Sequence, residues 1–222
     1  MAGVRARGSG KFKKAKILEL AGHSIALIGC GTGKYLEFCI ASGRKAVGLD
    51  ISPVCVEQAN ARTGGKAAVG DALALPLPDD SFDTVALWDV LEHVRDDCTA
   101  LKESARIARH NVLFSVPAED SMPDYSSGVT YRTYTDPTHL RYYNRRQLES
   151  LISLCGQRDF TIEMFDRARP ALMYRRVGIP RPILSLLDKL LWLLSSKSNA
   201  FKRNFFVEVR LAGHGKSANG ID

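Results

Sequence analysis

Paired cysteines are missing. Cys30, Cys39, Cys55, Cys98 and Cys155 contain no C-x-x-C spacing, and one is left over from any full pairing. That excludes a disulfide scaffold and a zinc ribbon and points to a reducing compartment. Residues 1–16 hold six Lys/Arg, no acid and no apolar core. No secretory leader is therefore expected, and the cytoplasm is the expected location. No apolar run reaches the roughly 20 residues that a membrane helix takes. No internal repeat is present, which excludes a solenoid or propeller. No His/Cys/acid spacing marks a metal centre, so metal independence is expected.

What is present fits a globular domain of ordinary size. The 222 residues are 45% apolar, ample for one core. The net charge of +7 is uneven, because 17–166 carries 14 basic and 21 acidic side chains while 167–222 carries 11 and three. The expected organisation is a basic flexible arm at 1–16, one domain at 17–212 and a disordered tail at 213–222. Insertions on the substrate side are expected at about 117–144 and 167–204.

Apolar runs of strand length fall at Ser24–Ile28, Ala46–Leu49, Ala67–Val69, Thr84–Trp88 and Val112–Val116. Helix-length stretches separate them, such as Lys34–Ser42 before Gly43 and the stretch opened by Ser52-Pro53, a serine cap with proline in the first turn. This alternation predicts an α/β fold with a mainly parallel sheet covered on both faces. Pro117–Arg141 reads as a long loop. A helix at Arg145–Leu154, a strand at Phe160–Phe165, an apolar helix at Ile183–Leu194 and a last strand at Phe205–Leu211 follow.

The first strand runs into Gly29-Cys30-Gly31-Thr32-Gly33. Such a turn can admit a ligand to the backbone, or can simply be tight. Asp50 ends the second strand and Asp71 the third, at equal spacings along the chain. Each acid alone could cap a helix. A glycine turn and two acids at the ends of three consecutive strands form one crevice for an adenosine-containing ligand, one acid for ribose hydroxyls and one for the adenine amine. The dinucleotide fingerprint would need glycine where Lys34 stands.

The stretches Ile25–Gly33, Val47–Ser52, Gly70–Ala72 and Ser81–Val94 (SFDTVALWDVLEHV) resemble, in order, the class I S-adenosylmethionine-dependent methyltransferases, within the group that includes ubiquinone and menaquinone biosynthesis enzymes. The resemblance implies a Rossmann-like, doubly wound, seven-stranded sheet with an antiparallel last strand, and S-adenosylmethionine as cofactor. It implies that Gly29, Gly31 and Gly33 pack against the methionine part, and that Asp50, with Ile51, holds the ribose. Asp71 and the Ala72 backbone N–H would hold the adenine, with Trp88 and Asp89 near the methyl group. Leu27 stands where the family usually has an acid for the cofactor ammonium, and Asp89 is the acid that could compensate.

Acceptor recognition is expected elsewhere. Asp136-Pro137-Thr138-His139-Leu140-Arg141-Tyr142-Tyr143 resembles a D-P-x-H-x-R-aromatic segment of methyltransferases that serve cell-surface polysaccharide, glycolipid and related small-molecule pathways. His139 is the candidate base or substrate contact. Asp136, Arg141, Tyr142, Tyr143 and His93 are candidate substrate contacts, and each also has a plain structural reading as a loop or helix-start stabiliser. The expected acceptor is an O, N or C nucleophile on a small or lipid- or sugar-linked molecule. Ile183–Leu194, flanked by basic residues, reads as a core-covering helix or lid, or as an interfacial helix that meets a membrane through 183–203. Two competing classes remain: a non-catalytic cofactor-binding or interaction protein, suggested by Leu27, and a nucleic-acid methyltransferase. Against the latter, no N-P-P-Y-like motif follows the fourth strand, and nucleic acid is not the expected partner.

Overall fold

A computed structural model describes residues 9–119, 136–167 and 202–212, with isolated positions between 180 and 190. The elements run α1 (Ser9–Leu20), β1 (Ser24–Ile28), α2 (Lys34–Ala41), β2 (Lys45–Asp50), α3 (Pro53–Thr63), β3 (Ala67–Val69), β4 (Phe82–Trp88), α4 (Asp97–Ile107), β5 (Ala108–Pro117), α5 (Arg145–Leu154), β6 (Asp159–Arg167) and β7 (Lys202–Arg210). One seven-stranded sheet has the order β3-β2-β1-β4-β5-β7-β6. β7 is antiparallel to both neighbours, and the other pairings are parallel. This is the α/β architecture expected from the sequence, antiparallel last strand included.

Strand pleating sends alternate side chains to opposite faces. Ala26, Ile28, Val85 and Leu87 join the core on the side of α4 and α5, while Ile25, Leu27, Ala86 and Trp88 join the one on the side of α1 and α2. Both faces are closed, so the central strands are mostly apolar, with buried Thr84, Asn111 and Ser115 as exceptions. The caps follow the local chemistry. The Ser52 hydroxyl accepts the Cys55 N–H at the start of α3. Asn144 and Gln147 form a reciprocal capping box on α5.

The N-terminal arm expected at 1–16 is corrected. Its second half lies in α1, and residues 1–8 fall outside the described region. Four lysines hide the helix's apolar side. Ile17 and Lys13 are buried one turn apart, and Phe12 stacks on Phe165 with ring centroids 4.3 Å apart. The lysine stems supply apolar area that composition does not show. The carbonyl end of α1 is anchored from outside. The Arg44 guanidinium donates to the Ile17, Leu18 and Ala21 carbonyls at 3.0–3.3 Å, and Asn111 Nδ2 donates to the Leu20 carbonyl at 3.1 Å.

The tail at 213–222 and most of the 117–144 and 167–204 insertions lie outside the described residues. Of the helix expected at Ile183–Leu194, Ile183, Leu186 and Leu190 are described, as helical and exposed.

Asp83 fastens the start of the first strand to the fourth. Its carboxylate accepts the Ser24 N–H at 2.8 Å and pairs with Arg109 at 3.1 Å. The Ser24 amide, helped by Arg109, holds the carboxyl below its ordinary value. A depressed carboxylate stabilises above its unfolded pKa, and the gain is lost as the pH falls through the folded value. Asp83→Asn is expected to lower unfolding free energy at neutral pH by about 1–3 kcal/mol. The deficit should close in acid, as read by urea unfolding across that range.

Candidate active site

The parallel strands all deliver their carboxyl ends to one edge, and the polar groups cluster there. A cavity of about 490 Å³ is lined by Gly29, Asp50, Ile51, Asp71, Ala72, Asp89 and His93, among others. A smaller one of about 200 Å³ shares Gly29 and adds Gly31, Lys34, Tyr35 and Trp88. Eight of the nine residues expected to hold a cofactor thus lie on two adjoining hollows. The ninth, Gly33, lines neither, because it packs on α3: a Cβ there would sit 2.8 Å from Ala59 Cα.

The glycines of the turn answer different needs. Gly31 adopts φ +53°, and no described atom lies within 4 Å of where its Cβ would be. Its missing side chain therefore leaves room at the mouth of the smaller hollow. No described side chain caps the N-terminus of α2, which opens onto that hollow. Uncapped N–H groups there suit a carboxylate. Asp50 organises the turn, since its two oxygens accept the Gly31 N–H at 2.7 Å and the Ser52 N–H at 2.9 Å. Asp71 Oδ1 accepts the Leu73 N–H at 2.9 Å. Ile51, 70% exposed, forms an apolar plate at the lip between the two acids.

Asp89 ends β4 in the left-handed region, φ +57°, which aspartate tolerates better than most residues. The Ser115 hydroxyl donates to one carboxylate oxygen at 2.7 Å, and the Lys13 ammonium pairs with the other. Lys13 is 2% exposed and sits about 6 Å from the Trp88 and Tyr35 ring centres. Sequence reasoning missed this lysine, because its burial depends on a partner 76 residues away. The same helix accounts for Leu27, whose side chain shares an apolar cluster with Ile17, Leu36 and Trp88. With α1 in place an acid at 27 would be buried among hydrocarbons, and the local charges are Lys13 and Asp89 instead.

Beyond Asp89 the chain turns through 90–95 into α4 and meets the segment 136–143. Four contacts zip them together. Leu140 N–H donates to the Glu92 carbonyl at 2.8 Å, and His93 Nδ1 lies 3.1 Å from the Thr138 carbonyl. The Arg141 guanidinium donates to the Arg95 carbonyl at 2.7 Å, and the Tyr143 hydroxyl lies 3.2 Å from the Leu91 carbonyl. Arg141 and Tyr143 also converge on Asp97, both at 2.9 Å. That is a scaffolding arrangement, and Tyr143 is buried. Asp136 bonds the Thr138 amide and hydroxyl, which hold its carboxyl below its ordinary value.

His93 and His139 come together, with ring centroids 4.7 Å apart, and Tyr142 lies 5.8 Å from His139. Glu92, which sequence reasoning did not single out, is buried beside them at 1% exposure, and its Oε2 has no hydrogen-bond partner among the described residues. Burial, reinforced by the negative charge of Asp89, pushes the Glu92 carboxyl up to about 8. The sequence carried only a weak hint, the Glu-His doublet after β4.

Comparison with known proteins places this geometry. Residues 27–116 match a methyltransferase-domain family model. A putative methyltransferase of Encephalitozoon cuniculi is 30% identical over 153 residues, 60% of this chain and 68% of that protein. The chain belongs to the S-adenosylmethionine-dependent methyltransferases. A probable S-adenosylmethionine-dependent methyltransferase of Mycolicibacterium smegmatis is 29% identical over 160 residues, covering 71% of this chain and 61% of that protein. The chain thus spans about three fifths of that relative's length. A methyltransferase structure from Archaeoglobus fulgidus superimposes with TM-score 0.65 over 93% of this chain and 96% of its own, at 20% identity, a likeness of fold.

The methyltransferase's cofactor, S-adenosylmethionine, fits the site. Asp50 and Asp71 present carboxylate oxygens to the larger cavity, and the open face of Gly31 and the α2 N-terminus border the smaller one. Gly31→Ala is expected to cost about 1–2 kcal/mol of stability through its left-handed conformation. It should also weaken S-adenosylmethionine binding at least about tenfold, or 1.4 kcal/mol. Gly33→Ala should cost more stability, because its Cβ collides with α3. Thermal melts and calorimetric titration of the two variants separate these effects.

Proposed function

We propose that the protein transfers the methyl group of S-adenosylmethionine to a hydroxyl oxygen of a small or lipid- or sugar-linked acceptor. The observation that carries this reading is the continuity of one cavity from Asp50 and Asp71 to His93, with the His139 imidazole and the Glu92 carboxyl against that wall. Among O, N and C nucleophiles, an alcohol oxygen is the one that most needs a proton acceptor beside it as it takes the methyl.

The cofactor's sulfonium supplies an activated methyl, so alignment of nucleophile and methyl accounts for much of the rate. The chain's own residues do the rest. Asp50 and Asp71 fix the cofactor's adenosine end, Ile51 offers it an apolar surface, and Trp88 lies at the methionine end. The Glu92–His93–His139 cluster activates the acceptor hydroxyl. A carbonyl oxygen can only accept a hydrogen bond, so the contact of His93 Nδ1 with Thr138 puts the ring proton on Nδ1 and leaves the Nε2 lone pair available. The His139 Nε2 lies 3.9 Å from the Asp136 carboxylate.

A lipid-linked acceptor would be met at a bilayer surface. Support for that part is the apolar spacing of Ile183, Leu186 and Leu190, all exposed, among the basic residues of 183–203. Among the described residues no helix is long and apolar enough to cross a membrane.

The test is formation of the demethylated cofactor with a panel of hydroxylated small molecules and glycolipids. His139→Ala and His93→Ala are each expected to lower kcat by about 10²–10⁴ while S-adenosylmethionine affinity is kept. Turnover with amines alone, or full rates in both variants, would overturn the hydroxyl reading.

A further inference from the structure

Glu92, His93 and His139 come from two segments 46 residues apart, and one carboxylate oxygen and two ring nitrogens lie within 4.8 Å of one another. We infer that these three side chains form a binding site for one divalent transition-metal ion at the acceptor side of the cavity. This inference rests on the hydroxyl-acceptor reading only for its role in catalysis; the site stands on its own geometry. It departs from the metal independence expected of the sequence, where no spacing brings the three together.

Two imidazoles and one carboxylate are a ligand set that suits zinc, manganese or iron and leaves coordination positions open. Bonds of about 2.0–2.2 Å require the ligand atoms to draw in somewhat from their present separation. One of the two histidines already has the hydrogen-bonded outer partner that a metal-binding imidazole characteristically has. His93 gives its Nδ1 proton to the Thr138 carbonyl, which turns an unprotonated Nε2 outward, and His139 faces the Asp136 carboxylate.

Glu92 supplies a second and independent sign. Its Oε2 is buried with no hydrogen-bond partner among the described residues, a costly state for a polar group. A cation held between it and the two rings would satisfy that oxygen. Among the described residues, Asp89 and Asp136 add negative charge close enough to be felt at Glu92, opposed by Lys13.

The chemical consequence concerns the acceptor. A hydroxyl coordinated at an open position has a lowered pKa, and its proton passes to water. The freed oxygen lone pair then forms the bond to the methyl carbon as the carbon–sulfur bond breaks and its electron pair returns to sulfur. No redox change is involved.

The experiment is titration of Mn²⁺, followed by electron paramagnetic resonance, and of Zn²⁺, followed by calorimetry, into the chelator-treated full chain. One saturable equivalent is expected. Glu92→Gln and His139→Ala should each abolish it while circular dichroism and S-adenosylmethionine binding are kept. Asp136→Asn should weaken it about 10–100-fold, the usual effect of losing an outer partner. Absence of saturable binding in the folded wild type would overturn the inference, as would unchanged binding in the ligand variants. Chelator-resistant methylation of a hydroxylated acceptor would overturn the metal's catalytic role and leave the hydroxyl reading intact. Metal binding without turnover of any hydroxylated acceptor would count against the hydroxyl reading and leave the site intact.

Discussion

The Asp50 carboxylate accepts a backbone N–H from each of two turns, Gly31's after β1 and Ser52's before α3. Those two bonds tie the turn after β1 to the turn after β2. They also fix the glycine turn in a left-handed path that leaves α2's N-terminus open. The rest of the site is arranged around that brace. The sheet is sealed on both faces by apolar side chains. Polar ligand chemistry therefore has one place to gather, the edge where the parallel strands end.

Charge at this edge is organised in two zones. On the α1 side the buried Lys13 and Ser115 both contact the half-exposed Asp89 carboxylate, which lines the larger cavity. On the other side the 90–95 turn is zipped to 136–143, which gathers two imidazoles around a buried carboxyl. Asp89 belongs to both zones: it pairs with Lys13 and raises the proton affinity of Glu92. The charge of α1 is in this way felt at Glu92.

The sequence made the cofactor side legible because each of its signals is local. Gly29–Gly33 follow an apolar strand directly, and Asp50 and Asp71 end the next two at even spacing. The acceptor side was partly legible. His93 and His139 could be named as polar residues in suggestive motifs, but their meeting depends on hydrogen bonds between segments far apart in the chain. Tyr143 and Arg141 looked like acceptor contacts until Asp97, between them, took both. Glu92 was not visible as a buried group, because nothing beside it in sequence says which way a turn residue faces. Helix α1 was hidden for the opposite reason. Its lysines read as solvated, and partners from distant elements, among them Asp89, Phe165, Arg44 and Asn111, make Ser9–Leu20 a packed helix.

The central claim is that the crevice braced by Asp50 holds S-adenosylmethionine. Calorimetric titration of the cofactor into wild type and Asp50→Ala tests it most directly. Saturable one-to-one binding by the wild type, lost in a variant that still melts cooperatively, is the predicted result. Equal binding by both proteins, or none by a folded wild type, would contradict it.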